Sequence, residues 1–238
     1  MLKRNLFTKE DLKREVRTLG LSKEFSVLNC KDLKQKVLSA ESGVCCIDPD
    51  GGSHGNAFQA LCDQQTDRGG STLVWSYTFT DYSNFNRGSN AVTPRPSWSA
   101  SAANVRVSTT VPLSETHYET INFALWSGMG KEFLIKSNIK NWIARSEGTG
   151  SIVQQKGGSV TCKIVKQVSG KCLGAMPNFL RPYENGMILD DGRGGKISYF
   201  FDGSTILDVE YPVHDPCGKS QANQSKGVAN PHGNIFVR

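Results

Sequence analysis

No stretch of this 238-residue chain reaches the ~18 consecutive apolar residues of a membrane-spanning helix, so membrane insertion is not expected. No run of five like charges occurs. The net charge of +6 gathers at residues 3–36 and 131–171 without a contiguous basic tract. That pattern reads as a mildly basic solvated face, with an anionic-ligand surface as the alternative, and it excludes nucleic acid as the expected partner. No Cys-x-x-Cys pair is present, and no cysteine pair stands at zinc-finger spacing from a histidine pair. Neither H-E-x-x-H nor G-x-x-x-x-G-K-[ST] occurs, and Gly148-Thr149-Gly150 is too short for a dinucleotide fingerprint. His214 and Cys217, three apart in a Pro-flanked loop, are poorly placed for a nucleophile and its base. Catalysis is therefore not expected. The first twenty residues lack the 7–15-residue apolar core of a secretory signal.

What is present is glycine, 24 residues, and seven dispersed cysteines: Cys30, Cys45, Cys46, Cys62, Cys162, Cys172 and Cys217. High glycine suits a turn-rich β or α+β fold. Dispersed cysteines suit disulfide staples in an oxidising compartment, so the protein is expected to be secreted, with a signal not visible in this chain. Seven is odd, which leaves a free thiol or a bridge to a second chain and makes a homo-oligomer a candidate. Cys45 and Cys46 are adjacent, so in a strand they face opposite ways. One reads as a small core residue and the other as paired or exposed. Cys162 and Cys172 lie across a Ser169-Gly170 turn, which suits a local hairpin staple.

Residues 1–29 read as a helix and linker. Thr8 and Asp11 cap residues 8–20, and Leu12, Val16 and Leu19 recur at helical spacing, as a packed helix or the end of a stalk. Lys31 to Leu38 reads as one or two helical turns. Strands are predicted at Val44–Ile47, Ala57–Cys62, Thr72–Phe79, Lys131–Lys136, Ser159–Val168, Ile197–Asp202 and Asn234–Arg238. Asp48-Pro49-Asp50-Gly51-Gly52 and Asp67-Arg68-Gly69-Gly70 read as turns. Residues 84–113, rich in Ser, Asn, Pro and Thr, read as a long loop held by Trp98. Ser114 predicts a helix cap over 115–126. Residues 170–195 show weak periodicity.

Cys30-x-Asp32-Leu33, Ser42-Gly43-Val44, Ile47-Asp48-Pro49-Asp50-Gly51, Cys62-Asp63, Thr66-Asp67, Gly69-Gly70 and Thr72-Leu73-Val74-Trp75 together resemble the amino-terminal part of a fibrinogen-like domain. The likeness is of a divergent invertebrate type, with distant similarity to intelectins. It implies an α+β fold: a fibrinogen C-terminal-like domain over residues 30–238. That domain would have a small disulfide-linked N-terminal β subdomain (30–80), then a twisted antiparallel sheet and loop-rich C-terminal region (81–238). It implies a Cys30–Cys62 disulfide, whose ~30-residue loop would contribute roughly 3–4 kcal/mol. It also implies an extracellular role in ligand recognition, as in innate-immune lectins, receptors and matrix proteins. Ser71 stands where the family usually has Trp. The family's calcium loop and its Trp-Trp-Tyr segment are not found, so its acetyl-group pocket transfers to no residue here.

The last forty residues concentrate Asp, Asn, His, Gly and Pro. Ca²⁺ takes six to eight oxygen ligands, and such residues supply them. The expected site combines Ca²⁺ on Asp202, Asp215 and Asn230 with glycan contacts from His214, His232, and Tyr211 or Trp126 as a sugar platform. Self-bonded turns are the alternative, and zinc on His214, His232 and Cys217 is a lesser one. Asp190-Asp191 reads as a loop tip with calcium binding as a minor option. Asn223-Gln224-Ser225 is a glycosylation sequon. The expected function is lectin-like glycan binding, possible calcium dependence included. The alternative is a matrix or adhesion module that binds extracellular proteins without sugar or catalysis.

Overall fold

The computed structural model describes residues 18–81, 90–101, 103–146, 148–192, 197–205, 214 and 228–238. Helix is scarce and antiparallel sheet dominates. Helix α1 (Cys30–Lys36) starts because the Asn29 side chain accepts the Asp32 N–H at 3.0 Å, and Asp32 and Lys36 complement its two ends. Its inward residues, Cys30 and Leu33, are buried.

The larger sheet runs β1 (Gly43–Ile47), β2 (Phe58–Asp63), β3 (Ser71–Phe79), β12 (His232–Val237), β5 (Phe133–Ser137), β6 (Trp142–Ser146) and β8 (Thr161–Lys166), with β4 (Val92–Thr93) on β3. The smaller sheet runs β11 (Ile197–Asp202), β10 (Gly186–Asp190), β9 (Phe179–Tyr183) and β7 (Gly158–Ser159). The predicted strands over 44–47, 57–62, 72–79, 131–136, 159–168, 197–202 and 234–238 all fall on observed ones. Through β2 and β3, residues 43–63 join the same sheet as β12.

All nine residues of β3 are buried. The register slips between Ile235 and Phe236, pairing them with Trp75 and Leu73 and leaving Val74 as the extra residue. Val74 and Trp75 therefore share the main core, while Leu73 faces the other way onto Leu134, Ala144 and Phe236. The main core also takes Leu180, Met187, Leu189, Tyr199 and Phe201 from the smaller sheet, so one core joins both sheets. Trp75 is its centre, with Trp98 edge-on at 5.3 Å and Phe201 at 5.6 Å. Trp98 thus anchors the long loop, as expected.

Two expectations are corrected. Residues 115–126 are not a helix. The chain there runs beside β3, with Ser76 N–H on Glu119 O and Ile121 N–H on Val74 O, and only Trp126–Met129 (α2) is α-helical. Pairing with a buried strand outweighs a cap signal at Ser114. The stretch of weak periodicity holds the β9–β10 hairpin, Phe179–Tyr183 against Gly186–Asp190. Cys162 and Cys172 are not bridged: Cys162 carries a free thiol, pushed up to about 12 by burial, and Cys172 is engaged in a disulfide.

Cys30 and Cys62 are bonded, with Cα atoms 5.4 Å apart. Cys45 Sγ also contacts Cys62 Sγ, and the three sulfurs lie within 4.8 Å of one another. Cys46 is a buried free thiol whose pKa is raised by burial. The predicted helix over 8–20 falls almost wholly outside the described residues.

Candidate functional site

On the sheet face opposite the main core, β5, β6, β8 and β12 build a cleft of about 160 Å³. Strand register places its walls. Lys136 of β5 pairs with Asn234 of β12, and Trp142 of β6 pairs with Lys166 of β8. Glu115, Asn138 and His232 close its rim.

Each wall residue is held. Trp142 Nε1–H donates to Ser137 O at 3.0 Å, which fixes the half-buried indole. Lys166 Nζ stands 4.4 Å from the indole centre and Lys136 Nζ 5.0 Å, both at cation–π range. Lys136 is buried but bonded to Asp63 Oδ2 at 2.9 Å and Glu115 Oε1 at 2.6 Å. Burial opposes the Asp63 charge. Bonds from Lys136, Thr66 and Gln65 more than offset it and hold the carboxyl at about 2. Asn234 is 1% exposed, and its Oδ1 is buried without a hydrogen-bond donor. His232 N–H donates to Asn138 Oδ1 at 2.8 Å, and its Nδ1 lies 2.7 Å from Asn230 O.

An unpaired buried acceptor beside an aromatic edge and a cation is a polar-ligand arrangement. Asn234 Oδ1 calls for a hydroxyl or amide donor, Trp142 lines the cleft with an indole that two ammonium groups approach, and Lys166 brings positive charge.

Of the residues expected from sequence, His232 lies in this cleft, and Asn230 stands behind it with its carbonyl oxygen in use. The others do not join them. Trp126 is a core residue, fully buried, with Nε1–H on Ile121 O and its ring against Phe123 and Trp98, so it is no sugar platform. His214 is also fully buried, among Tyr77, Phe79, Tyr199 and Phe201, with Nε2 2.9 Å from the Tyr77 hydroxyl. It is a packing residue and not a ligand contact. Asp202 ends β11 in the smaller sheet, and its Oδ1 accepts the Ser204 N–H. Burial raises its carboxyl to about 6. Asp202, on the smaller sheet, thus stands apart from Asn230 and His232, which meet at the start of β12. Tyr211, Asp215, Cys217 and Asn223 lie outside the described residues. Among the described residues, Cys30, Cys45 and Cys62 are the one group of three Cys, His, Asp or Glu with mutually close ligand atoms. Asp190 is no loop tip: it is buried and paired with Arg181 at 2.6 Å.

Sequence reasoning missed Trp142, Lys166 and Asn234. The available signal was polar residues at inward positions of otherwise apolar strands, Lys136 in F-L-I-K-S and Asn234 in H-G-N-I-F-V. Gly51-Gly52-Ser53-His54-Gly55 carries the letters of a nucleophile elbow. It joins strand to strand, β1 to β2, and not strand to helix, so it lacks the elbow's setting.

No known protein family matches this chain, and no curated protein matches it.

Proposed function

We propose that this chain is an extracellular recognition protein on a divergent fibrinogen-like scaffold, and that it binds glycans in the cleft of Trp142, Lys166, His232 and Asn234. The observation that carries the reading is Asn234, whose Oδ1 is a buried acceptor with no donor and which lines the same cleft as the half-buried Trp142 indole. A sugar supplies what both need: hydroxyl donors on one edge and an apolar ring face. Lys166 favours glycans with a carboxylate or sulfate substituent. The Cys30–Cys62 bond supports the extracellular reading.

The test is a glycan array that includes neutral, uronic-acid and sulfated oligosaccharides, probed with wild type and Trp142→Ala. Wild type is expected to bind a subset, and Trp142→Ala to lose about tenfold or more, since a ring stacked on a sugar contributes roughly 1–2 kcal/mol. Binding is expected to persist in chelator, because the cleft's charges come from side chains. Equal binding by both proteins, or none by either, would remove the reading.

A protein-binding module is the second reading. Leu21 and Val44, 72% and 46% exposed, line an apolar depression beside edge strand β1. Exposed apolar groups at a sheet edge favour a protein partner.

A further inference from the structure

Asp48 follows the last residue of β1 and is 1% exposed, yet neither carboxylate oxygen accepts a hydrogen bond. Its backbone is fixed, with N–H on Val27 O at 2.7 Å and O accepting Gly51 N–H at 3.0 Å. The nearest cationic group is His54 Nδ1, 3.5 Å from Asp48 Oδ2, and that nitrogen is already 2.7 Å from Ser26 Oγ. His54 is half exposed and charged only when protonated.

A second carboxylate stands beside the first. Asp50 Oδ1 accepts Gly52 N–H at 3.1 Å, and Oδ2 accepts Asn56 Nδ2–H at 2.7 Å. Asn56 is thereby tied into the same turn. Burial, then a hydrogen bond shared with Asp50 and the charge of Asp50, raises the Asp48 carboxyl above its ordinary range, against the charge and the backbone N–H of His54. A buried carboxylate short of donors, beside a second carboxylate, is costly unless a proton or a cation joins them.

We propose that the turn 48–56 binds a hard divalent cation, Ca²⁺ in preference to Mg²⁺, anchored by Asp48 with Asp50 and Asn56. Carboxylate and amide oxygens on an irregular turn suit the flexible, oxygen-rich shell of calcium. Magnesium demands near-octahedral geometry and keeps its waters. The site is separate from the glycan cleft, which is built on β5, β6, β8 and β12.

The test uses the full chain, stripped with chelator and then titrated with CaCl₂, MgCl₂ or ZnCl₂ alone, read by calorimetry and by melting temperature. Calcium is expected to bind at one site and raise the melting temperature by about 5 °C at a hundredfold excess over Kd. Asp48→Asn should abolish both responses while melting in chelator at or above the wild-type temperature, because the buried charge is gone. Should that variant not fold, Asp50→Asn is expected to weaken calcium binding tenfold or more by calorimetry. Trp142→Ala should keep the full calcium response, so failure of the glycan reading leaves this one standing. No calcium binding by wild type, a response to zinc alone, or an unchanged response in Asp48→Asn or Asp50→Asn would overturn the proposal.

Discussion

Two buried carboxylates pull stability in opposite directions with pH. Asp63, bonded to Lys136, sits at about 2 against an ordinary 3.8. Its folded pKa is depressed, so it stabilises the fold above pH 4, by roughly 1–2 kcal/mol after screening, and loses that as pH falls toward 2. Asp202 sits at about 6. Its folded pKa is raised, so its contribution is present below about 4 and is lost as pH rises through 6. The melting temperature is therefore expected to rise as pH drops from 8 to about 4.5, and to fall below 4. Asp202→Asn keeps an oxygen for the Ser204 N–H. It is expected to raise the melting temperature at pH 8, by about 3–6 °C for roughly 1.5–2 kcal/mol, and to flatten the slope between pH 4.5 and 8. An unchanged slope in that variant would show that another group sets it. Neither shift was legible in the sequence. Asp63 and Asp202 are both acidic residues at strand ends, and only tertiary contacts separate them.

Elements were legible where local pattern and final pairing agree. β1, β2, β3, β5 and β12 have apolar, aromatic or β-branched interiors near turn residues, and that composition locates them even where, as in β3 and β5, every position is buried. The β9–β10 hairpin was hidden for two reasons. β10, Gly-Met-Ile-Leu-Asp, is short and carries one β-branched residue and no aromatic. Pro182 interrupts β9, which is tolerated because β7 covers only Phe179 and Leu180. The 115–121 segment carries a helix cap signal but lies against β3, where Trp75 bridges Thr120. At β12, the strand that joins β3 to β5, Gly233 faces Tyr77 across the sheet, and a Cβ there would run into the phenol ring. Gly233→Ala is expected to destabilise by roughly 1–3 kcal/mol and lower the melting temperature by several degrees. A variant that melts with wild type would show that Tyr77 moves aside freely, and with it the His214 contact.

At the scale of the molecule, a single core ties both sheets, and the cleft stands on the opposite face of the larger one. The candidate site was only partly legible for that reason. Its residues come from strands nearly a hundred positions apart, Lys136 and Asn234. Composition drew attention to the Asp-, Asn- and His-rich carboxy-terminal residues, of which, among the described residues, His232 and Asn234 line the cleft. The central claim is that Asn234 keeps an unpaired acceptor for a ligand, at a cost to the empty fold. The most direct measurement pairs affinity and melting temperature for wild type and Asn234→Leu, using an array-selected acidic oligosaccharide. The account predicts at least tenfold weaker binding together with a melting temperature equal to or above wild type, because a buried unpaired acceptor costs roughly 1–3 kcal/mol. Unchanged affinity in Asn234→Leu would contradict it.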